Sequence, residues 1–232
     1  MILDLYGNTF DTEKPESVFA NGDCVEAMKK FPDKYFDLAV VDPPYGDGGG
    51  TFLSTNGTRF GGLFDRYKEK DGSKRQQIGW DTAPEGNYFE ELFRVSKNQI
   101  IWGGNYFSLP PTRCFIIWRK LTISENFSMA MAEYAWTSFN GNSKVFEFAP
   151  QGNKEKRFHP TQKPIELYEW IINRYAKQGD IILDTHVGSG SSLIACHETG
   201  HKYVGFEISK AYYEKAKRRI DAHNAQMNIF DM

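Results

Sequence analysis

The apolar run Ile181-Ile182-Leu183 leads into Asp184-Thr185-His186-Val187-Gly188-Ser189-Gly190-Ser191-Ser192. A helical stretch to Gly200 follows, then a second apolar run from Lys202 to Phe206 that ends on Glu207. Two short apolar runs joined by a helix are parallel neighbours in one sheet, because a crossover of that length returns the chain in the same direction. A parallel sheet must be covered on both faces. At 232 residues, with 40% apolar and 15% aromatic residues, the chain can build such a core as one α/β domain over 1–232.

Pro164 suits the first turn of a preceding helix, whose stripe is Ile165, Tyr168, Ile171, Ile172 and Tyr175, with Gly179 as its end. Glu207 at a strand end can take the two hydroxyls of a ribose, and Gly188 and Gly190 let a ligand approach the backbone. Strand, glycine loop, helix, strand and acid make half of a Rossmann-like nucleotide site; a tight turn alone would use the same glycines.

The first half carries a second constellation. Asp37-Leu38-Ala39-Val40-Val41 is another buried strand, and Asp42-Pro43-Pro44-Tyr45 stands at its carboxyl end. Open α/β sheets place reactive groups there. Asp42 can accept from an amino group, the prolines stiffen the turn, and Tyr45 offers a ring for stacking. An acceptor beside an aromatic plate suits the exocyclic amine of a nucleobase. The plainer alternative is a Pro-Pro loop with Asp42 as a helix cap.

Ahead of it, Ser17 to Ala20 reads as a strand, and Asp23 with Glu26 fits a capping box on a helix from about Cys24 to Lys30. Further strands are expected at Gln99–Trp102, Cys114–Trp118 and Tyr134–Phe139, and Pro84 opens a helix bearing Tyr88, Leu92 and Val95. Ser209 caps a last helix with Ala216 and Ile220 on one face. Residues 46–80 form a long Gly-rich, charged stretch directly after the candidate site, expected to act as a mobile lid or DNA-clasping loop.

The formal net charge of −2 gives no global basic field. A nucleic-acid partner therefore needs local positive charge, and residues 110–163 hold eight basic against four acidic residues. Arg59, Lys68, Lys74, Arg75, Arg119, Lys120, Lys156 and Arg157 are the candidate phosphate contacts. Cys24, Cys114 and Cys196 are far apart, so a reducing cytoplasm and no disulfide framework are expected. The histidines show no zinc spacing, and no run approaches membrane-spanning length; no metal and no membrane partner is expected. The segment from Met1 to Glu16 lacks a signal-peptide layout.

Together these motifs resemble the DNA amino-methyltransferases that use S-adenosylmethionine. Their Asp-Pro-Pro-Tyr motif stands at 42–45, their Gly-loop motif at 184–190, their Lys-Pro motif at Gln162-Lys163-Pro164, and their Gly-Asp at Gly22-Asp23. The order, catalytic half first, is similar to the β class and to small stand-alone enzymes of phages and prophages. The resemblance spans about 17–220 and implies a seven-stranded, mostly parallel sheet with helices on both faces in circularly permuted order. It divides the domain into a catalytic half at 17–140, a short target-recognition region at 119–158 and a cofactor half at 159–222.

It also implies a double-stranded DNA partner and site-specific methylation of adenine N6. Asp184 would meet the methionine amino group, residues 186–192 (with Gly188, Ser189, Gly190, Ser191 and Ser192) the amino-acid portion, Glu207 the ribose and Asp23 the adenine. Thr161 and Lys163 would lie by the methionine end, with Lys163 equally readable as a surface residue, and Asp42 would face the transferred methyl. Asp42, Pro43, Pro44 and Tyr45 would carry catalysis. Thr185 and His186 depart from the family, which prefers Pro and Phe. N4-cytosine methylation is the alternative within the class, where Ser more often replaces the Asp. RNA or protein-glutamine methylation and a catalytically silent DNA-binding module are further alternatives. A nicotinamide oxidoreductase would need a third glycine, but position 193 is Leu. A homodimer and a monomer are both open.

Overall fold

The computed structural model describes residues 1–45, 83–84, 86–126, 130–149, 158–159 and 161–230. The expected lid at 46–80 therefore lies outside the described residues. The chain opens with an antiparallel hairpin, β1 (Ile2–Leu5) and β2 (Asn8–Asp11), joined by Tyr6-Gly7. Both linking residues have positive φ, 50° and 85°, the backbone a two-residue hairpin turn requires. Leu5 and Phe10 point inward from it and are fully buried.

Then come β3 (Val18–Asn21), α1 (Cys24–Met28), β4 (Phe36–Val41), α2 (Gly86–Val95), β5 (Ser96–Trp102) and a single 3-10 turn, Gly104–Tyr106. β6 (Phe115–Lys120), β7 (Ala132–Thr137) and β8 (Lys144–Phe148) follow. The last part holds α3 (Ile165–Tyr175), β9 (Ile181–Asp184), α4 (Ser191–Glu198), β10 (Lys202–Glu207) and α5 (Lys210–Phe230).

Strand order in the main sheet is β3-β10-β9-β4-β5-β7-β6-β8. β3, β10, β9, β4 and β5 are parallel; β7 runs antiparallel to both β5 and β6, and β8 is parallel to β6. The circularly permuted order expected from the resemblance is present. β3 lies beside β10, with Ala20 opposite Phe206, and β4 lies beside β9, with Ala39 opposite Leu183. The two ends of the sequence thus meet at the centre of one sheet. Asp37 fastens that junction at the opposite end of the strands: one carboxylate oxygen accepts the Ile181 N–H at 2.9 Å and the other accepts from Lys97 at 2.6 Å.

The strands are nearly continuous apolar runs because both faces are buried. Leu38, Val40, Ile100, Trp102, Ile116 and Trp118 face α3 and α4, whereas Ala39, Val41, Ile101, Leu183 and Phe206 face α1, α2 and the hairpin.

The main sheet has eight strands where seven were expected. The addition is β8, a short edge strand whose Lys144, Val145 and Glu147 are exposed, so it offers no buried apolar run to read. The hairpin β1–β2 is likewise additional. Other boundaries shift: α2 starts at Gly86, two residues after Pro84, and α3 ends at Tyr175, ahead of Gly179. Asp23 caps α1, but Glu26 pairs with Lys29 at 2.6 Å, so the reciprocal half of the capping box is not made. Among the described residues no helix is long and apolar enough to cross a membrane, and no cluster of three His, Cys, Asp or Glu side chains could hold a metal.

Gly205 in β10 lets α4 and the loop after β9 close onto the sheet; a Cβ there would lie 2.8 Å from both Leu193 Cδ1 and Val187 Cγ2. Gly205→Ala is therefore expected to overpack this layer and to cost about 1–3 kcal/mol of unfolding free energy. Urea denaturation of the two proteins checks it, and equal midpoints would contradict the packing described.

Candidate active site

Asp184 ends β9 and Asp42 directly follows the neighbouring parallel strand β4, at the sheet position from which β9 to β10 and β4 to β5 step in opposite directions. Ligands bind at such positions in open α/β sheets. Both oxygens of Asp42 are held. The Tyr45 hydroxyl donates to Oδ1 at 2.7 Å, and the Lys163 ammonium donates to Oδ2.

Lys163 is buried and is not a surface residue. Its carbonyl accepts the Ser191 hydroxyl at 2.8 Å, which ties the residue before α3 to the start of α4. Its ammonium lies 3.4 Å from Glu133 and 5.1 Å from the centre of the Trp102 ring. Glu133 in turn takes Lys120 at 2.6 Å. The four side chains carry two positive and two negative charges. Burial alone would push the Lys163 ammonium down, but Asp42 and Glu133 outweigh it and hold it above its ordinary value. Burial likewise pushes Glu133 up, and Lys163 with Lys120 brings it below the usual carboxylate range.

Tyr45 is packed as well as bonded. Its ring stacks on Tyr106, with centroids 4.9 Å apart and planes 20° from parallel, and meets the edge of Phe107. Gly103, at φ 66°, backs it; a Cβ there would enter the Tyr45 ring. Burial and the Asp42 charge raise the Tyr45 hydroxyl well above its ordinary value, so it stays a donor.

On the other side of the switch, Asp184 Oδ1 accepts the His186 N–H at 2.9 Å and Oδ2 accepts the Ser192 hydroxyl. Burial pushes Asp184 up to about 7 even against these two bonds. Thr185 bridges the Tyr88 hydroxyl at 2.7 Å and His186 Nδ1 at 2.9 Å. His186 meets the edge of the Tyr88 ring, and burial brings it down to about 4, so it is neutral near pH 7. Gly188 and Gly190 have φ of 54° and 84°, which few residues besides glycine adopt. Gly188 lies against the His159 ring.

Glu207 binds the loop from below: one oxygen accepts the Gly188 N–H at 2.9 Å and the other the Ser209 N–H at 2.8 Å. Asp23 caps α1 through Oδ1 alone, accepting from Val25 at 2.7 Å and Glu26 at 3.1 Å. The Tyr6 hydroxyl donates to the Asp23 carbonyl, and the Tyr6 ring covers Gly22. Ser189 and Ser191 share a hydroxyl contact at 3.2 Å, and Thr161 touches His159 Nδ1.

The sequence-derived residues Asp42, Tyr45, Lys163, Asp184, Thr185, His186, Ser192 and Glu207 thus converge on one edge of the sheet. The DNA-contact set does not come together in the same way. Lys120 points inward, buried against Glu133 and the Trp118 ring, so its ammonium is not presented to a phosphate. Arg119, the preceding residue on this alternating strand, is exposed and pairs with Glu147 at 2.8 Å. Arg59, Lys68, Lys74, Arg75, Lys156 and Arg157 lie outside the described residues. Glu133, Trp102 and Tyr106 join the site without belonging to any motif; Trp102 is legible only as the end of an expected strand, and Tyr106 lies just past the Gly103-Gly104-Asn105 that follows it.

A family model described as DNA methylase, for N6 and N4 enzymes, matches residues 65–218. The chain is 27% identical over 244 residues to the type II methyltransferase M.HpaI of Haemophilus parainfluenzae, an alignment covering 90% of this chain and 74% of that protein. It is 26% identical to the putative methylase YubD of Escherichia coli strain K12, with 89% and 91% covered. Among solved structures, the cytosine-N4-specific PvuII DNA methyltransferase superposes with a TM-score of 0.59 at 13% identity, over 93% of this chain and 94% of that one.

Lys163→Met would leave Asp42 and Glu133 close together with one cation fewer between them. Breaking a buried pair in this way is expected to cost about 3–5 kcal/mol of unfolding free energy. Chemical denaturation measures it; a cost below about 1 kcal/mol, the scale of a surface pair, would contradict the burial of this network.

Proposed function

The chain belongs to the N6/N4 DNA methylase family, and we propose that it moves the methyl group of S-adenosylmethionine to the exocyclic N6 of adenine in double-stranded DNA. The observation that carries this reading is Asp42, fixed by one donor on each oxygen on a Pro-Pro turn beside the glycine loop. A carboxylate at this position favours adenine over the N4-cytosine reading, for which Ser is the commoner residue.

The residues fit the cofactor. Asp184 is buried with a carboxyl titrating at about 7, a group that a ligand ammonium would hold ionised. Glu207 uses one lone pair on each oxygen for backbone donors and keeps others for ribose hydroxyls. Asp23 keeps Oδ2 for the adenine end, and Ile208, whose carbonyl accepts from the Asn21 side-chain amide, is 60% exposed, an apolar surface for a flat ring to cover. Thr161 and the Lys163 backbone border the methionine end. When bound, S-adenosylmethionine supplies a methyl group on a sulfonium, already a good leaving group.

The chain's own residues then act by position. Asp42 and the Pro43 carbonyl accept the two amino hydrogens of the target, which turns the nitrogen lone pair toward the methyl. This is catalysis by orientation and fixed charge, with no covalent enzyme intermediate. The base must leave the duplex, at a cost of a few kcal/mol. The Tyr45–Tyr106 pair, with Tyr106 47% exposed, offers it an aromatic plate. Stacking there recovers on the order of 1–3 kcal/mol. Arg119 and the basic residues of 46–80 and 154–157 would meet the phosphates.

Single-turnover transfer of labelled methyl to duplex DNA tests these roles. Asp42→Ala should abolish transfer in a folded protein that still binds DNA. Tyr45→Phe keeps the ring but loses the bond to Asp42, and should slow transfer up to about tenfold, the scale of one hydrogen bond. Tyr45→Ala should lose far more. Parent-like rates in Asp42→Ala, or equal impairment by Phe and Ala, would refute the assignment.

The cofactor also makes a pH prediction. Asp184 binds a proton below about pH 7 in the free protein, and a ligand ammonium wants the carboxylate. Affinity should therefore fall about tenfold for each pH unit below 7 and level off above it. Asp184→Asn should bind weakly with a flat profile from pH 5.5 to 7.5. Calorimetry reads both, and a sloping profile in the Asn variant would contradict the role.

A further inference from the structure

Glu133 stands in none of the motifs and is itself partly exposed, yet it links the two buried lysines of the charge network, Lys120 and Lys163. Because β7 runs antiparallel to β5 and β6, its first residues reach the sheet edge where β4, β5 and β6 end. That brings Glu133 to Lys120 at 2.6 Å and to Lys163 at 3.4 Å. The Lys163 ammonium is thereby enclosed by Asp42, Glu133 and the face of Trp102. We propose that Glu133 is a positioning residue for methyl transfer, anchoring Lys163 from behind so that Lys163 and Tyr45 lock the Asp42 carboxylate for the incoming amine. The inference rests on the reading of Asp42 as the amine acceptor.

The physical need is clear from the side chains. Lysine carries a charge on a flexible four-carbon stem and by itself fixes little. With Glu133 on one side and Trp102 on another, the ammonium has one direction left, toward Asp42 Oδ2. Tyr45 holds Oδ1, so the carboxylate cannot rotate, and each oxygen still has a lone pair for a target N–H. Preorganised acceptors of this kind need no rearrangement when the base arrives.

Glu133 also keeps Lys163 charged. The groups around the ammonium are Asp42 on the β4 turn and Glu133 on β7, with Tyr45, Lys120 on β6, Tyr168 on α3 and Asp184 on β9 interacting through these two carboxylates. Burial opposes the charge, and the two carboxylates sustain it. With one removed, Lys163 loses its proton at a lower pH and stops donating a charged bond to Asp42.

The test is single-turnover methyl transfer to adenine-containing duplex DNA from about pH 7 to pH 10, with cofactor affinity and thermal stability measured alongside. Glu133→Gln should transfer about ten- to a hundredfold more slowly near neutral pH, the scale of a misplaced reacting group. Its cofactor affinity should stay within about twofold, and its rate should fall on the alkaline side before pH 10, where the parent, with Lys163 held above its ordinary value, stays level. Glu133→Asp, which keeps the charge but shortens the reach, should slow transfer and, like the parent, stay level up to pH 10. Parent-like rates in Glu133→Gln at every pH would overturn the proposal, as would a pH-independent loss that tracks weaker cofactor binding. If Glu133→Gln does not fold, Glu133→Asp decides, and a parent-like rate there overturns it. A parent enzyme that methylates no adenine refutes the function reading instead; an active parent with an unaffected Glu133→Gln refutes only this inference.

Discussion

The site depends on one buried ion pair, Lys163 with Asp42. The two residues come from elements far apart in the chain, and their contact exists only because β4 and β9 are neighbours and α3 starts beside them. A charge taken out of water must be compensated, so the pair constrains everything near it. Glu133 and Lys120 balance it, Trp102 gives the ammonium an aromatic face, and the Ser191 hydroxyl fixes the Lys163 backbone. The result is a carboxylate whose orientation is set before any ligand arrives.

The fold supplies that geometry through its order. Cofactor-half strands β9 and β10 lie between β3 and β4 of the catalytic half, so the glycine loop and the Asp-Pro-Pro-Tyr turn share one edge although they sit at opposite ends of the sequence. Left-handed Gly188 and Gly190 let the loop after β9 turn sharply, and Glu207 holds it with a bond to the Gly188 N–H. The loop is thus shaped by backbone and by one buried acid, and the side chains of Thr185 and His186 are held by Tyr88, whose hydroxyl bonds Thr185 and whose ring meets the edge of His186.

Much of this was legible. Strands β4, β9 and β10 are nearly continuous apolar runs because both faces are covered, and the motifs fall at their ends. The less legible parts have physical reasons. β8 is an exposed edge strand with charged residues, and the Tyr6-Gly7 hairpin is too short for periodicity to show. Lys120 counts toward the basic excess of residues 110–163, but neighbours on a strand face opposite ways, and only Arg119 faces out. Glu133 carries no local signal at all; its importance comes from an antiparallel pairing that brings it to a lysine thirty positions later.

The most direct test of the central claim is to digest DNA from cells expressing the parent protein or Asp42→Ala and to analyse the nucleosides by mass spectrometry. The account predicts N6-methyldeoxyadenosine in the first sample and none above background in the second. N4-methyldeoxycytidine in place of the adenine product, or equal methylation by the Asp42 variant, would contradict it.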